Sequence, residues 1–118
     1  MLQLAESEYH VMNEIWNQDG IPARELAQNL SALIGWSKTT TYTVISRCLE
    51  KSYIRREDPG FHCYALVSRQ QVAEWDTDTL ISRGYEGCPD LLIASLLGRK
   101  KLSGEQLQRL KKLVEEIP

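Results

Sequence analysis

Residues 36–67 read WSKTTTYTVISRCLEKSYIRREDPGFHCYALV, and this stretch decides the fold. Its first half places a good N-cap residue, Ser37, ahead of apolar residues at helical spacing, which predicts a helix over about 37–52. Its second half alternates polar and apolar residues on both sides of the turn sequence Glu57-Asp58-Pro59-Gly60. That alternation predicts a two-stranded hairpin directly after the helix.

The two faces of the predicted helix differ in chemistry. One face is apolar and carries Val44, Ile45, Cys48 and Leu49 beside Thr41. The other face has hydroxyls, a phenol and bases, with its only acid at the far end: Lys38, Thr39, Tyr42, Thr43, Ser46, Arg47 and Glu50. Exposed helix faces usually favour Glu, Lys and Gln, so this composition is typical of a binding surface.

A helix fits the DNA major groove, and its N-terminal turns usually contact the base edges. The predicted contacts of the helix are Ser37, Lys38, Thr39 and Thr40 in its first turn, then Tyr42, Thr43 and Arg47. In the hairpin, Arg55, Arg56 and His62 are expected to contact the DNA backbone or an adjacent minor groove. Simpler interpretations stay open: the threonines as capping residues, the two arginines as a solvated strand end, and His62 as a packing residue of the hairpin.

Charge is distributed unevenly along the chain of 118 residues, whose net charge is −2. Residues 36–56 hold five basic side chains against one acid, a local net charge of +4, so the remainder carries −6. A basic segment within an acidic protein is a local electrostatic footprint for phosphate.

Other function classes find little support in the sequence. The two histidines are far apart, and no nucleophile motif, phosphate-binding glycine loop or metal-ligand spacing occurs, so we expect no enzyme, cofactor or metal site. The three cysteines are expected to be small apolar residues, with thiol sensing by Cys63 or Cys88, or a shared metal site, as the alternative. No signal peptide or membrane-spanning run is recognised, which predicts a cytoplasmic protein.

The flanking sequence completes a six-helix pattern. A first helix is predicted over about 5–18 and a second from Ile21-Pro22, with a connection over 31–35. After the hairpin, three further helices are predicted: to about Arg83, over about 90–97, and after Ser103. The expected fold is mainly α with a β wing: a winged helix-turn-helix DNA-binding domain over 1–68 and a helical region over 69–118.

These residues resemble the family of penicillinase, methicillin-resistance and copper-transport-operon repressors, often written BlaI/MecI/CopY. The resemblance covers nearly the whole chain and is most specific at the start of the third helix. The matching segments are Glu6–Met12, Ile15-Trp16, Ala23–Ala27, Trp36-Ser37 with Thr40, Thr43–Arg47, Lys51 to Ile54, Tyr64 with Leu66–Ser68, Ile93–Ser95, and Leu102-Ser103 with Glu105.

The resemblance implies a homodimeric transcriptional repressor that binds a palindromic double-stranded operator. The winged helix would hold DNA, and the last three helices would dimerise through apolar faces that are too large to leave exposed on a monomer. The expected dimerisation residues are Val72, Trp75, Leu80, Leu92, Leu96, Leu107, Leu110 and Val114. The alternative is a winged helix that binds protein without reading DNA.

Regulation is where the sequence departs from the family. Residues 89–118 contain no cysteine, which argues against the copper control of members with a C-terminal cysteine cluster. Penicillinase-type members are cleaved between the fourth and fifth helices, and the corresponding segment here, Ser82–Cys88, keeps only part of that site. A sensor or protease that relieves repression is therefore an expected partner. The signal to which it responds stays open.

Overall fold

The computed structural model describes residues 3–118 and has six helices and a small three-stranded sheet. The elements in chain order are α1 Glu6–Asn17, β1 Ile21–Pro22, α2 Ala23–Ile34, α3 Lys38–Glu50, β2 Ile54–Glu57, β3 His62–Ala65, α4 Arg69–Gly84, α5 Pro89–Gly98 and α6 Gly104–Glu115. Helix, helix, helix and hairpin in this order confirm the winged-helix prediction.

The sheet has the order β1-β3-β2, and both pairs are antiparallel. Its innermost strand, β3, pairs Cys63 with Ile21 on one side and with Arg56 on the other. The prediction that Ile21-Pro22 begins the second helix was wrong. The backbone there is extended because Gly20 N–H donates to Cys63 O and Ala23 N–H donates to Phe61 O, each at 2.9 Å.

The ends of α2 and α3 have clear local causes. The predicted connection over 31–35 is mostly helix, since α2 continues to Ile34 and ends at Gly35, whose φ of 71° suits glycine. Ser37 caps α3 as predicted, and this helix ends at Glu50, slightly before the expected residue 52. Both predicted Ser–Gln capping boxes are present, at Ser68 of α4 and at Ser103 of α6.

The core of the winged helix forms where α1, α2, α3 and the sheet meet. Most of the apolar side chains at helical spacing on the three helices are buried, whereas Leu49 of α3 is half-buried. These core side chains include Val11, Met12, Ile15, Leu26, Leu30, Val44, Ile45, Cys48, Ile54 and Cys63.

The chain divides into two compact units within α4, after Asp76. The first half of α4 belongs to the winged helix because Arg69 donates to Asn13 and Asn17 of α1 at 3.2 and 3.1 Å. Tyr9 of α1 also donates its hydroxyl hydrogen to Asp76. The predicted boundary at residue 68 thus lies before the division that the structure shows.

Candidate nucleic-acid interface

The first turn of α3 is organised by two hydroxyl side chains. Ser37 Oγ accepts a hydrogen bond from Thr40 N–H at 3.1 Å and lies 2.9 Å from Thr40 Oγ1. The two hydroxyls therefore fix the start of the helix, which is the capping role. The neighbouring Lys38 and Thr39 are exposed.

The exposed face of α3 continues with Thr43, Ser46 and Arg47. Thr43 Oγ1 donates to Thr39 O at 2.9 Å, so its hydroxyl hydrogen is used within the helix and its methyl group remains available. Among residues 3–118, no carboxylate forms an ion pair with Lys38 or Arg47. These two cations can meet a phosphate or a base without first leaving a carboxylate partner.

Tyr42 joins α3 to the wing, here meaning β2, β3 and the turn between them. Its ring packs edge-on against Phe61 at a centroid distance of 5.9 Å, and Lys38 Nζ lies 5.8 Å from the Tyr42 ring centre. The Arg56 guanidinium carbon in turn lies 3.6 Å from the centre of the Phe61 ring. The structure thus brings together the predicted residues Lys38, Tyr42 and Arg56 through a ring, Phe61, that sequence reasoning had missed.

The other basic side chains counted in the +4 segment are paired. Lys51 Nζ lies 2.8 Å from the buried carboxylate of Glu8, a contact that joins the end of α3 to α1. Arg55 pairs with Glu57 at 2.7 Å and Arg56 with Asp58 at 2.9 Å. Because Glu57 and Asp58 come just after the counted segment, the sequence overstated the charge that is free to bind DNA.

The two ion pairs of the wing shift the pKa values of Asp58 and Arg55. The Arg56 guanidinium beside Asp58 lowers the pKa of that carboxyl, with a further contribution from Phe61 N–H, which donates to Asp58 Oδ1 at 3.2 Å. The Glu57 carboxylate likewise raises the pKa of Arg55. Both shifts favour the charged forms, the Asp58 carboxylate and the Arg55 guanidinium.

His62 is packed against the base of the wing. Its Nδ1 lies 2.8 Å from Gly20 O, and a Cβ added at Gly60 would lie 2.8 Å from its Nε2. The glycine at position 60 is required for this close approach, and its φ of 99° also suits glycine. Half-buried in this way, His62 has the placement of a packing residue.

Sequence reasoning also missed a basic residue beside α3, Arg24. A groove between α2 and the start of α3 is lined by Arg24, Ala27, Gln28, Ser31, Ala32 and Lys38. Arg24 and Gln28 are exposed one helical turn apart, and among residues 3–118 Arg24 has no carboxylate partner. The first helix of a helix-turn-helix pair crosses the DNA backbone, so an arginine at this position was a signal available in the sequence.

The cysteines are placed as apolar residues in two cases. Cys48 and Cys63 are fully buried, and burial raises the pKa of Cys48 to about 12 and that of Cys63 to about 11. Since the thiolate is the reactive form, these placements disfavour thiol sensing by Cys63. Within residues 3–118, no cluster of His, Cys, Asp and Glu side chains is arranged to hold a metal ion.

The residues predicted for dimerisation fall into three environments. Val72 is fully buried in the core of the winged helix and Trp75 is half-buried in the same unit, so Val72 is not available to a partner.

In the second unit, Leu92 and Leu96 are half-buried, whereas Leu80 is exposed. An apolar groove in this unit is lined by Ile93, Leu97, Leu107, Leu110, Lys111, Val114 and Glu115. The predicted residues Leu107, Leu110 and Val114 thus line this groove, together with Ile93 and Leu97, which were not among the predicted residues.

Comparison with known proteins agrees with this geometry. The sequence model of the family described as Penicillinase repressor matches residues 4–116. The chain belongs to the penicillinase repressor family. As a member, it is a DNA-binding transcriptional repressor and not an enzyme.

The relatives match almost end to end at modest identity. The penicillinase repressor of Bacillus licheniformis is 26% identical over 97% of this chain and 91% of its own length. The methicillin resistance regulatory protein MecI of Mammaliicoccus sciuri is 23% identical over 97% of this chain and 94% of its own. The solution structure of the DNA-binding domain of the repressor BlaI superposes with a TM-score of 0.55 and 25% identity, covering 59% of this chain and 88% of that domain. No helix among residues 3–118 is long and apolar enough to cross a membrane.

Proposed function

We propose that this repressor binds a palindromic operator as a homodimer, with α3 of each protomer in the major groove. The observation that carries the proposal is the exposed face of α3, where Lys38 and Arg47 have no carboxylate partner among residues 3–118. Thr39, Thr43 and Ser46 add short polar or methyl-bearing side chains on the same face. Such a face offers base-edge contacts, while the unpaired cations neutralise phosphate.

Arg24 and Gln28 extend the proposed contact to the DNA backbone on the α2 side of the groove that they share with Lys38. Tyr42 is half-buried between Lys38 and Phe61, so we assign it to holding α3 against the wing rather than to reading bases. Base readout then rests on Arg47 and Thr43, one turn apart on α3.

Dimerisation is supported by the second unit, Thr77–Pro118, in which no residue is buried. Its groove between α5 and α6 keeps Ile93, Leu97 and Val114 at 48%, 44% and 61% exposure. A two-fold copy would cover such a face and would present two recognition helices to half-sites about 34–36 Å apart or at a multiple of that spacing.

The segment between α4 and α5 is the proposed target of a protease or sensor that relieves repression. Glu86 and Gly87 are exposed there, as are Arg83 and Gly84 at the end of α4, which is the accessibility that a cleavage site requires. Cleavage in this segment would separate the winged helix from the helices that we assign to dimerisation.

Fluorescence anisotropy with a labelled fragment from the region upstream of the protein's own gene tests the operator proposal. A random fragment of equal length is the competitor. Arg47→Ala is expected to weaken operator binding by about 1–3 kcal/mol if Arg47 pairs with guanine, and to weaken random binding less. Lys101→Ala, which removes an exposed cation from the second unit, is the matched control and should bind as the wild type does.

Three outcomes separate the alternatives. Operator preference that is lost in Arg47→Ala supports α3 as the recognition helix. Equal binding of operator and random fragments contradicts sequence readout by this protein. Absence of DNA binding even at low salt would favour a winged helix that contacts protein instead, since phosphate binding is strongest under those conditions.

A further inference from the structure

We propose that, of the two adjacent wing arginines, Arg56 contacts the DNA backbone and Asp58 is its positioning residue, whereas Arg55 holds the wing together. This inference rests on the proposed function. It divides two residues that the sequence treats as equivalent.

The two side chains lie on opposite faces of β2. Arg56 stands opposite Cys63 on the face that also holds the buried Ile54, and its guanidinium stacks on Phe61. Phe61 in turn packs on Tyr42 of α3, so Arg56 lies on the recognition-helix side of the wing.

Arg55 faces the other way. It stands opposite Tyr64, and its guanidinium carbon lies 4.3 Å from that ring's centre. The Tyr64 ring covers the turn between α1 and β1, since a Cβ added at Gly20 would lie 2.9 Å from Tyr64 Cε1. Arg55 therefore packs over the side of the sheet away from Tyr42 and Phe61.

The hydrogen-bond donors of the two guanidinium groups are used differently. Asp58 Oδ2 and Oδ1 both accept from Arg56 Nε, at 2.9 and 3.2 Å, so Nη1 and Nη2 have no acceptor among residues 3–118. Glu57 Oε2 instead accepts from Arg55 Nη1 at 2.7 Å. A phosphate is bound best by two parallel N–H donors, and Arg56 keeps its terminal pair available for that purpose.

Asp58 is itself fixed in place by Phe61 N–H, which donates to Oδ1 at 3.2 Å. The same residue, Phe61, thus supplies the ring beneath Arg56 and the backbone donor that orients its carboxylate partner. Because the guanidinium is oriented before DNA arrives, less side-chain freedom is lost on binding.

Binding of the operator fragment at several salt concentrations tests the division. Arg56→Ala is expected to weaken binding about tenfold for each protomer bound, because a charge-assisted hydrogen bond is lost. It should also reduce the slope of log affinity against log salt by about 0.9 for each phosphate released. Arg55→Ala is the matched control, with a loss below about twofold and an unchanged slope. Arg56→Lys should keep the slope and lose part of the affinity, since lysine lacks both Nε and the fork.

A double-mutant cycle tests the positioning role. Asp58→Asn keeps the Oδ1 acceptor for Phe61 N–H but loses the ionic contact with Arg56 Nε, and is expected to weaken operator binding about threefold. In the Arg56→Ala background it should cause no further loss. Melting temperatures of all variants show whether an effect comes from the wing contact or from unfolding.

Equal losses in Arg55→Ala and Arg56→Ala, or an unchanged salt slope in Arg56→Ala, would overturn the assignment of Arg56. Tighter binding by Asp58→Asn would show that Asp58 competes with phosphate and would overturn its positioning role. These failures are distinct from failure of the proposed function, in which the wild type would show no operator preference and Arg47→Ala would have no effect.

Discussion

The two compact units differ in whether their apolar side chains are buried or exposed. All the fully buried hydrophobic residues among residues 3–118 lie in the first unit, at or before Val72. Within the same described part of the chain, eight of the eleven exposed large hydrophobic side chains lie in the second unit, including Leu97, Val114 and Ile117. The first unit therefore has a complete core of its own, whereas the second has apolar faces that a further surface would cover. The first unit is therefore stable through its own core, and the proposed assembly would use the second.

The largest expected effect comes from placing a charge in the groove of the second unit. Val114→Asp should raise the dimer dissociation constant about 100-fold or more, because an unpaired carboxylate would be buried twice in a two-fold interface. Operator binding should weaken with it, since each monomer would hold a single half-site. Sedimentation equilibrium measures the first effect and anisotropy the second.

Leu33→Asp is the matched control for this substitution. Leu33 is 67% exposed at the end of α2 and Val114 is 61% exposed, so both carboxylates would be solvated in a monomer. An assembly that resists Val114→Asp, or that responds equally to Leu33→Asp, would contradict a dimer interface on α6.

A core substitution in the first unit should give the next largest effect. Ile45→Ala removes a fully buried side chain of α3 and is expected to cost about 2–5 kcal/mol in the free energy of unfolding. Ile117→Ala, at a side chain that is 69% exposed, should leave the melting transition of the winged helix unchanged. All three tryptophans, Trp16, Trp36 and Trp75, lie in the first unit, so tryptophan fluorescence follows its unfolding. Similar losses in the two variants would contradict a self-sufficient core.

The comparison also shows which features could be predicted from the sequence. Helix α3, its cap at Ser37 and the turn of the wing depend on residues close together in the chain, so local patterns predicted them. Strand β1 was missed because its extended form depends on hydrogen bonds from Gly20 and Ala23 to residues in and beside β3, some forty positions away. Long-range pairing of this kind overrides local helix signals.

The pairing of the basic side chains was predicted less well than the helices and the hairpin. A count over neighbouring residues cannot show that Lys51 pairs with Glu8, which lies in another helix. Nor can it show that Arg55 and Arg56, adjacent in sequence, use different nitrogens toward their carboxylates. The exposed side of α5 is also hard to predict, because α5 is apolar on most of its surface and its periodicity gives little direction.

The smallest of these effects is a pH dependence confined to the first unit. Burial raises the pKa of Cys48 to about 12, with the Glu8 carboxylate adding to the shift, and that of Cys63 to about 11. An unfolded thiol ionises near pH 9, so the unfolded state releases protons first as the pH rises. The stability contributed by these neutral thiols is therefore fully present below pH 9 and is lost progressively between pH 9 and about 12.

The tryptophan-detected melting temperature should fall across pH 9–10.5, and it should fall less steeply in a Cys48→Ala/Cys63→Ala variant, whatever that variant loses at neutral pH. Because a cavity costs the same at every pH in this range, an equal slope in the two proteins would show that the buried thiols do not set the alkaline limit of the winged helix.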